Sequence, residues 1–247
     1  MSAHLIGIGT CINIATIVTG SSVGVLTGNR LPERLRTLIT DILGCVCLIN
    51  AADALRSVWN PIFQRAVPQG WTTLGTLMAL LVGGLVGYFW SLEARLERFG
   101  QRLKSRFASR DKGHFIEGFM AASLLFAIGP LAILGSVSDG MHTGISELVL
   151  KSTLDGFAAM AFASSFGWGV AFSAIPVGLY QFAWTVIGYF LGNILSMYQI
   201  QALTAVGGVM LFGIGLRLLN IKTIAIGDLL PALFFAPLVA LAAHQFI

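Results

Sequence analysis

Apolar runs of about span length recur along the chain, at 5–28, 37–55, 71–91, 115–137, 147–167, 169–192, 203–219 and 228–246. A helix rises ~1.5 Å per residue, so about 20 mostly apolar residues cross a ~30 Å hydrocarbon core. These runs are continuously apolar, whereas barrel strands alternate apolar and polar over ~10 residues, which excludes a transmembrane β-barrel. The pattern predicts an all-α, polytopic transmembrane helix bundle forming a single integral membrane domain over 1–247. Trp168 and Gly169 alone mark the step between the fifth and sixth runs. The count is eight spans if they close a full hairpin, and seven if they do not.

Composition agrees. Of 247 residues, 56% are apolar and 11% charged, against roughly 25% charged in soluble domains. The 29 Gly have no triplet period and there are 3 Cys, so collagen and a disulfide scaffold are excluded. The opening Met1-Ser-Ala-His4 lacks a positive n-region, and Thr10 and Asn13 interrupt the first run. It reads as a retained first span.

Lysine and arginine then set an orientation. Arg30, Arg34 and Arg36 follow the first run. Arg95, Arg98, Arg102, Lys104, Arg106, Arg110 and Lys112 follow the third, and Arg217 and Lys222 the seventh. The opposite side keeps Arg56 and Arg65. Loops 29–36 and 92–113 are therefore expected in the cytoplasm. The net charge of +4 sits beside membrane spans and interleaves with Glu93 and Glu97, so it does not read as a nucleic-acid footprint. Within 92–107, Leu92, Leu96, Phe99, Leu103 and Phe107 share one helical face. Such a basic amphipathic helix can lie on anionic lipid headgroups, either as a positive-inside anchor or as a regulatory surface.

Small residues form stripes: Gly20, Gly24 and Gly28; Gly83 and Gly87; Gly188 and Gly192; and Ser152, Gly156, Ala159, Ala163 and Gly167. They allow close helix packing within the bundle, or between copies in a homo-oligomer. Leu31-Pro-Glu-Arg-Leu-Arg36 resembles Leu92-Glu-Ala-Arg-Leu-Glu97, and Thr40–Leu55 aligns loosely with Thr204–Leu219. In an eight-span chain the latter two cross in opposite senses, as a weak inverted repeat would.

Ionisable groups inside spans cost ~2.5–3.5 kcal/mol each on insertion scales. Lys151 and Asp155 stand at i, i+4 with Ser152 between them. They form either a structural pair near the outer interface, with Lys151 snorkelling, or a cation- or proton-binding carboxylate with a resting counter-charge. Asp139 precedes Gly140 and is a turn or cap residue, or a second ligand to a cation shared with Asp155; carboxylates and hydroxyls are hard-oxygen ligands for small cations. Asn13 and Gln181 fall nearest mid-span, and Asp41 and Glu117 near loop arginines that can pair with them. Pro130 and Pro176 are expected to break their helices and free backbone carbonyls. Cys45 and Cys47 have no histidine at metal-ligand spacing, and no metal centre is identified. HExxH, G-x-S-x-G and the phosphate loop are absent, Ala225-Ile-Gly-Asp228 is half of an aspartyl-protease signature, and no cofactor motif is found. An enzyme is not expected.

Several of these motifs together resemble the uncharacterised bacterial inner-membrane family of the YqgA and YdfK type. They are Leu31-Pro-Glu-Arg-Leu-Arg36, Ala122-Ser-Leu-Leu-Phe126, Gly129-Pro130, Asp139-Gly140, Lys151-Ser152, Leu154-Asp155 and Leu229-Leu-Pro-Ala232. The resemblance implies a multi-pass protein of the bacterial inner membrane and names no activity. The functional expectation is a transporter or channel for a small ion or metabolite, a cation by preference. The alternative is a scaffold or sensor acting through helix contacts.

Overall fold

The computed structural model describes residues 5–28, 32–107, 114–191 and 195–246, and among them there is no strand. Helices α1 (Ile8–Gly28) and α2 (Glu33–Leu55) lead into a 3-10 turn at Arg56–Trp59 and the short α3 (Pro61–Ala66). Asn60 accepts the Ile62 N–H at 2.9 Å, and Pro61 opens α3 where a missing N–H costs no bond. α4 (Trp71–Trp90), α5 (Leu92–Phe107), α6 (Phe115–Ala127) and α7 (Pro130–Gly140) follow. The chain continues through α8 (Ser146–Phe166), α9 (Gly169–Phe172), α10 (Ala174–Leu191) and α11 (Met197–Leu218). A second 3-10 turn at Ile226–Leu229 then opens α12 (Leu230–His244). Among the described residues, six helical segments are long and apolar enough to cross a membrane, seven if the bent pair α6–α7 is one span. α8 matches α1 in length, 21 residues each, but carries Glu147, Lys151 and Asp155 and is not among them.

By contact density the chain forms two units interleaved in sequence. The first comprises Met1–Leu43, Glu97–Ala127 and Leu131–Ile194; the second comprises Gly44–Leu96, Ile128–Pro130 and Leu195–Ile247. In the first, Gly20, Gly24 and Gly28 of α1 press on the backbone of Gly156, Met160 and Ser164 in ascending order, so α1 and α8 run parallel. Gly7 meets Phe182 and Gly178 meets Ile14, so α10 runs the other way. α8 and α10 are thus opposed across Gly167, whose φ of 73° is the left-handed region where glycine is at ease. This is the hairpin that the Trp168–Gly169 step left open.

α6 and α7 form one bent pair. They meet at 62°. Gly129 takes a φ of 139° at the bend, and Pro130 starts α7. Phe115 packs against Gly169 at one end, and Asp139 reaches Gly7 at the other, so the pair traverses the unit. The sixth span breaks at Ser173, three residues before Pro176. Ser173 Oγ donates to the Val170 carbonyl at 2.6 Å, and Pro176, having no N–H, offers none to the Phe172 carbonyl one turn back, where the helix is interrupted.

The basic amphipathic helix is α5. Its apolar face turns onto protein. Phe99 lies 6.0 Å from Phe119, Leu103 is buried, and Phe107 stacks on Phe172 at 5.5 Å. Glu117, expected to pair with an arginine, pairs with His114 at 2.9 Å. Arg30, Leu31, Arg110, Lys112 and Gly192 lie outside the described residues.

In the second unit Gly83 and Gly87 of α4 lie on the backbone of Ala232 and Asp228, a descending order that makes α4 and α12 antiparallel. The 91–93 corner is tied down by ions. Glu93 Oε1 accepts from Arg217 at 2.7 Å, its Oε2 accepts the Gly227 N–H at 2.6 Å, and Asp228 Oδ1 accepts the Glu93 N–H at 2.9 Å. The weak internal match is reflected here. Gly44 of α2 packs on Leu219, and Gly208 of α11 packs on Leu55. The alignment pairs Gly44 with Gly208 and Leu55 with Leu219, so the two contacts exchange under it. Carried back by the same offset, it pairs Gly24-Val-Leu-Thr-Gly28-Asn29 with Gly188-Tyr-Phe-Leu-Gly192-Asn193 and Ile14 with Gly178. Ile14 and Gly178 are themselves in contact.

Candidate functional site

The site lies in the first unit and begins with the glycine seam. Because Gly20 and Gly24 let α1 sit directly on α8, the polar residue two turns before Gly20 on α1 reaches the carboxylate facing it. Asn13 Nδ2 donates to Asp155 Oδ2 at 3.0 Å. Lys151 Nζ donates to the same oxygen from one turn earlier on α8. Asn13, Lys151 and Asp155 are 0%, 6% and 8% exposed. Lys151 does not snorkel outward, although a lysine stem can reach an interface. It ends on Asp155, close to the middle of a 21-residue helix. The two charges offset each other, and Asn13 adds a charge-assisted hydrogen bond.

Ser152 donates to the Leu148 carbonyl at 2.6 Å. It also lines an open surface groove of about 310 Å³ along the α1–α8 seam, with Thr16, Thr19, Gly20, Gly156 and the exposed Phe157. The threonine hydroxyls bond back to their own helix, Thr16 Oγ1 to the Asn13 carbonyl at 2.9 Å and Thr19 Oγ1 to the Ala15 carbonyl at 2.8 Å.

Asp139 lies at the start of α1. Its Oδ1 accepts the Gly7 N–H at 3.3 Å and its Oδ2 the Gly9 N–H at 3.1 Å. An anion there satisfies orphan donors and opposes the positive end of the helix dipole. Gly9 and Asn13 are four residues apart, so the Asp139 and Asp155 carboxylates address α1 one turn, ~6 Å, from each other. Among the described residues no three His, Cys, Asp or Glu side chains gather as a metal centre.

Gln181 lies in α10 and is 0% exposed, with neither side-chain polar atom hydrogen-bonded. Asn13 Oδ1 and Thr10 Oγ1 are equally buried and also lack partners. Sequence reading treated Thr10 only as an interruption of the first run. Its position three residues before Asn13, on an adjoining strip of one helix, was the signal.

Residues 8–241 match the family model "Protein of unknown function (DUF554)". The chain is 31% identical over 234 residues to "Uncharacterized protein YqgA" of Escherichia coli (strain K12), covering 93% of this chain and 94% of that protein. It is 27% identical over 238 residues to "Uncharacterized membrane protein YdfK" of Bacillus subtilis (strain 168), covering 96% and 97%. No solved structure matches significantly. A helical membrane protein throughout, the chain belongs to the DUF554 family.

Proposed function

We propose that the protein carries a small cation across the bacterial inner membrane. The observation behind this reading is the Lys151–Asp155 pair, buried at mid-helix in the first unit and held by Asn13. Ionisable groups at that depth are expensive and typically mark ion or proton pathways. A bent helix pair, α6–α7, and a self-matching helix arrangement accompany it, features that membrane transporters combine with a central site. Asp155 is the cation ligand, Lys151 its resting counter-charge, and Ser152 with the seam hydroxyls flanks the route. The segments 29–36 and 92–113 face the cytoplasm, with the cationic side of α5 toward anionic headgroups. No catalytic step is invoked.

The test uses purified full-length protein in liposomes, pulsed with a panel of monovalent cations, divalent cations and protons while current and internal pH are recorded. Wild type is run beside Asp155→Asn and the doubly neutral Lys151→Met/Asp155→Asn, which leaves no unpaired charge. A solute-specific signal lost in both variants supports transport through Asp155. Silence from monodisperse wild type across the panel overturns it and favours a scaffold.

A further inference from the structure

From the unpartnered polar atoms of α1 and α10, we infer that Thr10, Asn13 and Gln181 form a binding site for a dehydrated monovalent cation of about sodium's size, next to Asp155. The α1–α10 seam is fixed by two contacts, Gly7 on Phe182 and Gly178 on Ile14. Thr10 and Gln181 fall between those contacts, at the same level of the seam. Asn13 lies one residue before Ile14 and bridges from this seam to Asp155 on α8. Thr10 Oγ1, Asn13 Oδ1 and Gln181 Oε1 are all fully buried and have no hydrogen-bond partner. A buried polar atom left unpaired costs about 1–3 kcal/mol, so three such oxygens within one turn of the seam call for a common occupant.

The donor chemistry selects the occupant. Neutral hydroxyl and amide oxygens are hard ligands that replace a hydration shell without adding charge. Of the two carboxylates nearby, Asp155 is balanced by Lys151 and Asp139 accepts the Gly7 and Gly9 N–H groups. A monovalent cation suits that set, and a divalent ion would need more anionic ligands than it offers. Ile14 and Gly178, the residues that the internal match superposes, are also where α1 and α10 touch, which is where transporters with internal repeats place a site.

The inference deepens the transport reading, but binding is measured without flux. A protein that binds and does not transport keeps this site and loses that reading. Full-length protein in nanodiscs is titrated with LiCl, NaCl, KCl and NH4Cl against choline chloride at constant ionic strength. Thermal unfolding and tryptophan emission are followed, Trp184 standing one turn from Gln181 in α10. Wild type is expected to show a saturable, size-selective shift. Thr10→Val and Gln181→Leu weaken it at least about tenfold, as loss of one buried oxygen ligand would. Thr10→Ser, which keeps the oxygen, retains it. No cation-specific response in folded wild type overturns the site and leaves water as the occupant. A response unchanged in folded Thr10→Val and Gln181→Leu overturns it as well.

Discussion

Gly20 of α1 faces the backbone carbonyl of Gly156 of α8 with no room between them for a Cβ. The Asn13–Asp155 hydrogen bond depends on that spacing. Gly20→Ala therefore has to push the helices apart. It is expected to lower stability by about 1–3 kcal/mol, the range for overpacking. Gly75→Ala in α4, whose Cβ would meet Val239 at an ordinary 3.5 Å, is the comparison and should be neutral or slightly stabilising. Thermal unfolding of the two variants in one detergent separates the cases, and equal losses would show that the seam tolerates separation.

The Lys151–Asp155 pair makes a second prediction, on stability. Removing one member leaves an uncompensated buried charge, at a cost of about 3–5 kcal/mol. Lys151→Met and Asp155→Asn should each destabilise by that order, while the double variant recovers most of the loss. A double-mutant cycle from denaturation midpoints measures the coupling. Additive losses would mean that the two groups do not depend on each other.

These elements were unequally legible in the sequence. Helices of span length follow from apolar runs, and the Lys151–Asp155 spacing alone places both groups on one helix face. The face of α5 was also readable at 92–107, but not what covers it. Amphipathicity marks an apolar stripe, and Phe119 and Phe172, which meet it, are remote in sequence. The interruption near Pro176 falls one turn before it, at Phe172–Ser173, because a proline withholds its helical donor from the carbonyl four residues back. Asp139 carried two sequence readings, and its partners, the N–H groups of Gly7 and Gly9, lie over a hundred residues away. Glu93 looked like a charge diluting a basic loop, whereas folding sets it against Arg217 and Gly227.

Glu93 supplies the third prediction. Its carboxylate joins α11, the 226–229 turn and the start of α5, with side chains that are 17% exposed for Glu93 and 19% for Arg217. Glu93→Gln should retain part of this, and Glu93→Ala should cost about 1.5–3 kcal/mol, the range for hydrogen bonds to charged groups. Protease susceptibility at the 91–93 corner should rise with it. A Glu93→Ala protein as resistant as wild type would show that the Asp228 cap suffices.

As a cap, Asp139 has a different signature from that of an ion ligand. Asp139→Ala should lose about 1 kcal/mol and raise amide exchange over residues 7–11, with Asp139→Asn intermediate. Cation binding at the Thr10–Gln181 level should survive in both variants if they remain folded. Loss of binding without faster exchange would move Asp139 from the helix end into the site.

The last prediction concerns whether α8 crosses the membrane. It carries three charged residues, Glu147, Lys151 and Asp155, yet its 21 residues extend ~31 Å, enough for a ~30 Å core, and it runs parallel to α1 along its length. Burial of Lys151 and Asp155 against α1 removes the reason to keep α8 out of the bilayer. Its far end lies beside basic residues: Ser165 Oγ donates to the Arg36 carbonyl at 3.2 Å, and Arg36 donates to the Gly28 carbonyl at 2.8 Å. That end should be cytoplasmic. With Cys11, Cys45 and Cys47 replaced, a cysteine at exposed His142 should react with an impermeant maleimide added to intact cells, and one at Trp168 only after permeabilisation. Labelling of both from outside would take α8 out of the membrane. The reversed pattern would keep α8 as a span and invert the orientation drawn from the basic loops.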